Sequence, residues 1–344
     1  MTDSCIAKLI FRVDGGPQIG LGHIIRCMAI ADMIKSLFRI SFLVQNPSAS
    51  VKSLITESSF DIVDLPETSD YAVDANNLIN HLTGQEFVIL DGYSFGSDYQ
   101  KLIKRHCHTL IAIDDLIAWH QYADVVINHG GNARMSDYQA ESYTRFLLGT
   151  DYSLLRKPFL EAGMRTSFKT LSTFYPHKVL VNLGGADPEN ISKRVVNSLL
   201  KETVANQIVV VAGAANTHYD LAENEEENRV QVRRNLTSQE MVSAIQECDV
   251  SILSCSTISY EAATVGKPFI GILTADNQSF LSQFYADNQI ALAVLKKDFT
   301  DAELNDSLSL PVSRINTSLF NQRRFFDGRS EERITKFFRE LLVN

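Results

Sequence analysis

Residues 14 to 26 read DGGPQIGLGHIIR, between the apolar run KLIFRV (8–13) and the stretch IIRCMAIADMIKSLF (24–38). A strand that passes through a glycine-rich turn into a helix is one βα unit of a parallel sheet. Gly15, Gly16, Gly20 and Gly22 let backbone N–H groups approach a ligand or supply positive φ at a turn. A helix opening near His23 adds a positive dipole end and unpaired N–H groups. The G-x-G at 20–22 is not a dinucleotide fingerprint. Ile25 stands at the third glycine position, and the next strand, ISFLVQN (40–46), ends without the acid that would bond an adenosine ribose.

His23 is the candidate general base of this turn. An imidazole suits proton abstraction near neutral pH, and a helix N-terminus disfavours its charged form. Asp14 is the loop carboxylate placed to orient it. Arg26, about one turn on, either reaches a phosphate or lies on the surface.

The same alternation runs outward from this unit. Strand-like runs follow at 40–45, 60–65, 87–91, 109–114, 124–128 and 146–150, with helical stretches at 73–84 and 97–107. Runs apolar on both faces indicate parallel strands covered by helices. Near 152–176 the pattern breaks into a mixed segment with prolines at both ends, read as a connection with room for a short helix. A second series then begins, with strands at 177–185, 207–215, 229–235, 250–256, 267–273 and 291–295. Its helices are expected from Pro188, at 238–248, 257–266 and 280–289, and a last helix closes the chain at 331–342. The expected organisation is an N-terminal Rossmann-like domain over 1–155, a linker over 156–176, a C-terminal Rossmann-like domain over 177–328, and a terminal helix over 329–344 whose packing, back on the first domain or not, the sequence leaves open. The fold class is α/β, two doubly wound domains whose ligand-binding edges face a central cleft.

Composition supports this reading. The chain has 344 residues, 45% hydrophobic and 21% charged, as globular proteins do, and its length suits two domains. A formal net charge of −9 makes nucleic acid a poor partner. The five cysteines are scattered without a C-x-x-C, which argues against a zinc ribbon or disulfide scaffold and fits a reducing compartment. No signal peptide and no apolar run of about 18 residues is read, so a cytoplasmic location without membrane insertion is expected.

Residues just after strands carry the remaining chemistry. Asp91-Gly92-Tyr93 ends the fourth run, and an aromatic hydroxyl beside a carboxylate can grip a sugar. Asp114-Asp115 and Asn128-His129-Gly130 end the next two. No third ligand at metal spacing accompanies the Asp pair, so neither metal nor cofactor is expected. In the second series Gly184-Gly185 ends a buried strand, with Asp187 as N-cap and Pro188 at the first helical position. That is a pyrophosphate cradle without a lysine. Ser254, Ser256 and Thr257 cluster at another strand end. Glu261, one turn into the following helix, is placed to accept ribose hydroxyls. Thr274-Ala275-Asp276-Asn277-Gln278 forms a further polar rim for a sugar or ribose.

Taken together, RVDGGPQIGLGHIIR, LDGY (90–93), NLGGADPENIS (182–192) and SCSTISYEAATVGKP with ADNQ (254–278) resemble the UDP-sugar hydrolase family of pseudaminic acid biosynthesis. Members remove UDP from UDP-2,4-diacetamido-2,4,6-trideoxy-β-L-altropyranose. The likeness spans most of the chain in order. Its second-half motifs are shared with GT-B glycosyltransferases, including the enzyme that makes lipid II. The resemblance implies a GT-B fold, UDP held by the C-terminal domain, and metal-free water attack at the anomeric carbon with inversion. It places the catalytic histidine at His23, the tyrosine after the fourth strand at Tyr93, and the diphosphate loop at Gly184 and Gly185. The ribose acid falls on Glu261 and the later asparagine on Asn277, beside Gln278. Gly15-Gly16 stand where the family often has serines, which leaves the contacts of Gly20, Gly22 and their loop less defined. Two other readings are a glycosyltransferase, in which His23 deprotonates an acceptor hydroxyl, and a non-catalytic nucleotide-sugar sensor. No basic or apolar acceptor patch is evident in the first half.

Overall fold

The computed structural model describes residues 6–15, 21–167, 169–185, 187–201, 205–213, 216, 218 and 229–343. The chain divides into two compact units, residues 1–156 with 330–344, and residues 157–329.

The first unit carries seven strands: β1 (Ala7–Val13), β2 (Phe38–Gln45), β3 (Asp61–Leu65), β4 (Phe87–Asp91), β5 (Thr109–Ile113), β6 (Val125–Asn128) and β7 (Arg145–Leu148). They pair in the order β3-β2-β1-β4-β5-β6-β7, every pair parallel. Helices α1 (Gly22–Ile34), α2 (Ala49–Glu57), α3 (Tyr71–Ile79) and α4 (Ser97–Lys104) supply connections. The apolar residues of β1 from Leu9 on, and those of β4 and β5, are buried on both faces, and Ile10, Val88 and Leu110 sit in one core with Leu78 and Ile103 of the helices. Burying such side chains contributes roughly 1.5–3 kcal/mol each.

The second unit begins with α5 (Lys157–Arg165), inside the expected connecting segment; it packs on α7 (Ser238–Glu247) and α8 (Thr257–Val265). Six parallel strands follow: β8 (Lys178–Asn182), β9 (Gln207–Ala212), β10 (Val230–Arg234), β11 (Val250–Ser254), β12 (Phe269–Leu273) and β13 (Val294–Lys296), ordered β10-β9-β8-β11-β12-β13. Helices α6 (Ile191–Lys201), α9 (Ser279–Asp287), α10 (Asp301–Leu308) and α11 (Val312–Phe325) complete it. Val181, Ile252 and Ile270 of the sheet share a core with Val195, Leu304 and Ile315 of the helices.

One expectation is corrected here. The helix after β8 starts at Ile191, not Pro188, and Pro188 and Glu189 form a turn before it. Asp187 still caps, because its carboxylate accepts from the amides of Ile191 and Ser192, each at 2.9 Å. Helices α2, α10 and α11 have no counterpart among the expected elements. The closing helix, α12 (Ser330–Val343), packs on α1, with Phe338 against Phe38 and the Thr335 hydroxyl donating to the carbonyl of Met33.

Both sheets reverse direction once. In the first, β1 and β4 are neighbours and their outgoing connections run to opposite sides; in the second, β8 and β11 are. Ligands of doubly wound sheets bind at such switch points, beyond the carboxyl ends of the strands.

Candidate active site

In the first unit, β1 and β4 pair with Val13 opposite Asp91, so the turn after β1 opens beside the last residue of β4. The Asp14 amide donates to the Asp91 carbonyl at 3.0 Å. A side chain on Gly92 would meet the Asp14 carboxylate at 2.4 Å and the Phe95 ring at 2.8 Å, so these two side chains pack closely over the glycine. Helix α1 begins at Gly22, which is exposed, and puts His23 in its first turn.

The His23 ring is buried, and its Nδ1 lies 2.7 Å from Oδ1 of Asp91. Asp91 is wholly buried. It also accepts from Arg26 Nε at 2.7 Å, Arg26 Nη2 at 2.5 Å and the Cys27 thiol at 3.2 Å. Burial alone would raise the pKa of this carboxyl; the Arg26 charge and the bonds from Arg26 and His23 outweigh it and hold the group well below the usual carboxylate range. Nδ1 also lies 2.9 Å from Arg26 Nη2, which can only donate, but Nη2 is already bonded to Asp91 and the carboxylate is the nearer neighbour of Nδ1. An ionised carboxylate accepts only, so the bond to Asp91 puts the proton on Nδ1. In the neutral ring the lone pair is therefore on Nε2, which has no hydrogen-bond partner among the described residues. Tyr93 stands edge-on to the ring, centroids 4.8 Å apart, and is 39% exposed. The arrangement is a carboxylate–imidazole dyad with a free basic nitrogen, the geometry by which a general base is oriented.

Three expectations change. The carboxylate that orients His23 is Asp91, not Asp14, whose side chain pairs with Arg12 Nη1 at 2.9 Å. Asp91 is saturated by protein donors, so it does not grip a sugar. Arg26 neither reaches a phosphate nor lies on the surface: it is buried and bridges Asp91 to Asp115, 2.9 Å from Nη1. Asp114 accepts from the amides of Leu116 and Ile117 and closes its own turn. Among the described residues no group of His, Cys, Asp and Glu could hold a metal ion. Gly20 lies outside the described residues.

A neighbouring crevice is lined by Tyr93, Asp115, Leu116 and Trp119, with Leu116 42% and Trp119 46% exposed. Leu116 and Trp119 are thus two exposed apolar side chains on a crevice that Asp114, Asp115 and Gln121 also line.

His129, after β6, is buried and accepts a hydrogen bond from the Leu154 amide on Nδ1. Burial, reinforced by the Arg26 charge, pushes its imidazole down to about 4. The unfolded chain takes up a proton near pH 6.5, whereas the folded chain resists until about 4. Stability attributable to His129 is therefore complete above the unfolded value and is lost as pH falls from about 6.5 to about 4. Urea unfolding is expected to show about 2 kcal/mol less stability from this group near pH 5 than near pH 7, and His129→Gln is expected to flatten that part of the profile. An unchanged profile in the variant would assign the loss elsewhere.

In the second unit, the loop after β8 turns at Gly184, with φ +102, and the Gly184 amide donates to Oδ1 of Asn182. A side chain on Gly213, at the end of β9, would meet the Cα of exposed Gly185 at 2.5 Å, so the two loops touch through glycine backbone. Across the switch point, Ser254 and Ser256 share a hydroxyl hydrogen bond of 2.7 Å. Ser256 is the N-cap of α8 and makes no side-chain capping bond, and Thr257 is its first residue. Glu261 is buried, 3% exposed, so it is not a solvated helix glutamate. Asn277 is exposed. Gln278 instead accepts from the Thr274 amide at 2.9 Å and closes its loop. Gly184, Gly185, Ser256, Thr257 and Glu261 thus gather on the loops and helix that follow adjacent strands β8 and β11.

The fold matches solved structures over nearly the whole chain. MurG from Acinetobacter baumannii aligns with TM-score 0.66 and 12% identity, covering 97% of this chain and 99% of that one. The chain has the GT-B fold. UGT89C1 from Arabidopsis thaliana, solved with UDP-L-rhamnose, aligns at TM-score 0.61 and 13% identity over 97% of this chain and 99% of that one. MnaA from S. aureus, solved with UDP, aligns at 0.61 and 11% identity over 98% and 97%. In sequence, the UDP-2,4-diacetamido-2,4,6-trideoxy-beta-L-altropyranose hydrolase of Campylobacter jejuni is 25% identical over 284 residues, 81% of this chain and 96% of that protein. The spore coat polysaccharide biosynthesis protein SpsG of Bacillus subtilis is 23% identical over 341 residues, 95% of this chain and 96% of that protein. An uncharacterised Methanocaldococcus jannaschii protein, MJ1062, is 24% identical over 276 residues; the match spans 76% of this chain and 55% of that protein's length. No family profile matches. No helix of the described residues is long and apolar enough to cross a membrane.

Proposed function

We propose that this GT-B chain is an enzyme of sugar biosynthesis that hydrolyses a UDP-linked diacetamido-trideoxyhexose to the free sugar and UDP. The observation that carries the reading is the His23–Asp91 dyad, which leaves Nε2 as the basic nitrogen. The fold neighbours and sequence relatives support the broader assignment to nucleotide-sugar chemistry.

In the proposed reaction Nε2 of His23 takes a proton from water as the water oxygen bonds the anomeric carbon. The anomeric C–O bond to the diphosphate breaks, and its electron pair leaves on the β-phosphate oxygen of UDP. Asp91 stabilises the imidazolium that forms. UDP is a good leaving group, and its developing charge is assigned to the backbone N–H groups of Gly185 and of the first turn of α8. Glu261 is assigned the ribose hydroxyls, and Ser256, Thr257 and Asn277 are assigned further contacts to UDP. Tyr93 is assigned to the sugar. A positioned base contributes about 10²- to 10⁴-fold.

A glycosyltransferase is the second reading. The apolar rim of Leu116 and Trp119 favours it, because an acceptor would need such a surface. One experiment separates the two: supply the UDP-sugar alone in ¹⁸O-labelled water. The hydrolase releases free sugar labelled at the anomeric oxygen and unlabelled UDP. Release only on adding an acceptor would establish transfer, and label in UDP would overturn C–O cleavage.

A further inference from the structure

The second unit holds a cavity of about 580 Å³ that the proposed reaction does not use. Its wall includes Lys267 and Pro268, just before β12, and His177 and Asp249, just before β8 and β11. These are the amino ends of the strands. Gly184 and Ser256 lie beyond the carboxyl ends, a strand length of roughly 15 Å away. The cavity is therefore distinct from the candidate nucleotide loops of the same unit, and its size lies in the range of small-molecule pockets.

Its charge is opposite to that of the chain, whose net charge is −9. Lys169, Lys267 and Arg323 line it against a single carboxylate, Asp249, which already accepts from the Lys178 amide at 2.9 Å. Lys267 is half-buried, and its ammonium makes one hydrogen bond, to the Cys248 carbonyl at 2.9 Å. Burial lowers its pKa, which reflects the cost of keeping that charge from water. Among the described residues Arg323 uses only Nη1, donating to the carbonyls of Gly163 and Asp327. Lys169 is exposed and has no partner among the described residues.

The other side of the ledger is closed. Helix α8 ends at this cavity, and a helix C-terminus would repel an anion. Three of its last four carbonyls are taken: Gly266 and Lys267 amides donate to Ala262, Gly266 also to Ala263, and the Thr166 hydroxyl to Val265. What faces the cavity is a set of under-used cations beside the apolar side chains of Leu171, Phe174 and Leu319. We infer that this cavity is a second ligand site, for a small organic anion whose acidic group meets Lys169, Lys267 and Arg323 and whose apolar body rests on Phe174 and Leu319.

The test uses anilinonaphthalene sulfonate as the probe and the full chain. Fluorescence titration is expected to give one saturable site that survives excess UDP. Lys169→Gln and Lys267→Met are each expected to weaken it by about tenfold, while Lys35→Gln, an exposed lysine on the first unit, leaves it unchanged. Circular dichroism checks that each variant is folded; should Lys267→Met fail to fold, Lys169→Gln decides alone. Absence of a saturable site, displacement of the probe by UDP, or equal affinity in Lys169→Gln and the native chain would overturn the inference.

Discussion

Asp91→Asn is expected to lose both stability and turnover. The native carboxylate is fully buried and receives Arg26, His23 and Cys27. An amide in its place offers one oxygen and presents donors to partners that are themselves donors. Arg26 is then left with Asp115 as its one charged partner, inside the protein. Removing one member of a buried ion pair costs about 3–5 kcal/mol. The chemical loss has a separate cause. An Asn N–H pointed at Nδ1 favours the tautomer that carries its proton on Nε2, and the base is gone. A loss of about 10²- to 10⁴-fold in kcat is expected, with UDP affinity retained. Denaturant unfolding and steady-state kinetics read the two effects independently. A variant as active as the native chain would show that the dyad does not set the tautomer.

Asp74→Ala is the complementary case, a large loss of stability without loss of chemistry. Arg12 and Asp74 are 1% and 0% exposed and joined by a forked contact, with Arg12 Nε at 3.1 Å and Nη2 at 3.0 Å. Tyr99 and Gln45 also donate to this carboxylate, at 2.7 and 2.6 Å. Truncation leaves buried Arg12 with Asp14 as its one carboxylate, on Nη1, while Nε and Nη2 lose theirs and two further donors go unmet. A cost of about 3–5 kcal/mol is expected, with kcat of the folded fraction within a few-fold of native. The double variant Arg12→Met, Asp74→Leu is expected to recover part of that cost, since the buried guanidinium is gone and only Asp14, which is partly exposed, loses its partner. Urea midpoints of the three chains check this. A double variant no better than Asp74→Ala would mean that the cost comes from losing the pair itself, not from the under-paired guanidinium.

The two predictions mark where the sequence was readable. Strands buried on both faces appear as uninterrupted apolar runs, so all thirteen described strands fall on the runs read from the chain. Helices with a thin apolar face did not stand out. Only Val51 and Ile55 of α2 are buried, and α11 buries Ile315 with the polar Ser318 and Gln322. The start of α10 was legible in retrospect, because Thr300 and Glu303 form a reciprocal capping box. His23 could be singled out because glycines and a strand end surround it. Its partner could not, since Asp91 is 68 residues away and a nearer loop aspartate was available. The strand order supplies the missing step: β4 lies beside β1, so the last residue of β4 is the carboxylate that meets the first turn of α1. Arg12 carried a signal too, as a charge inside a strand otherwise buried on both faces implies a buried counter-charge.

The most direct test of the account is the turnover of UDP-sugar by His23→Gln, measured beside its affinity for UDP. The glutamine side chain keeps a polar group near Asp91 but has no basic nitrogen. The account predicts a fall in kcat of about 10²- to 10⁴-fold with UDP binding unchanged. Turnover close to that of the native chain, or turnover and UDP binding lost together, would contradict it.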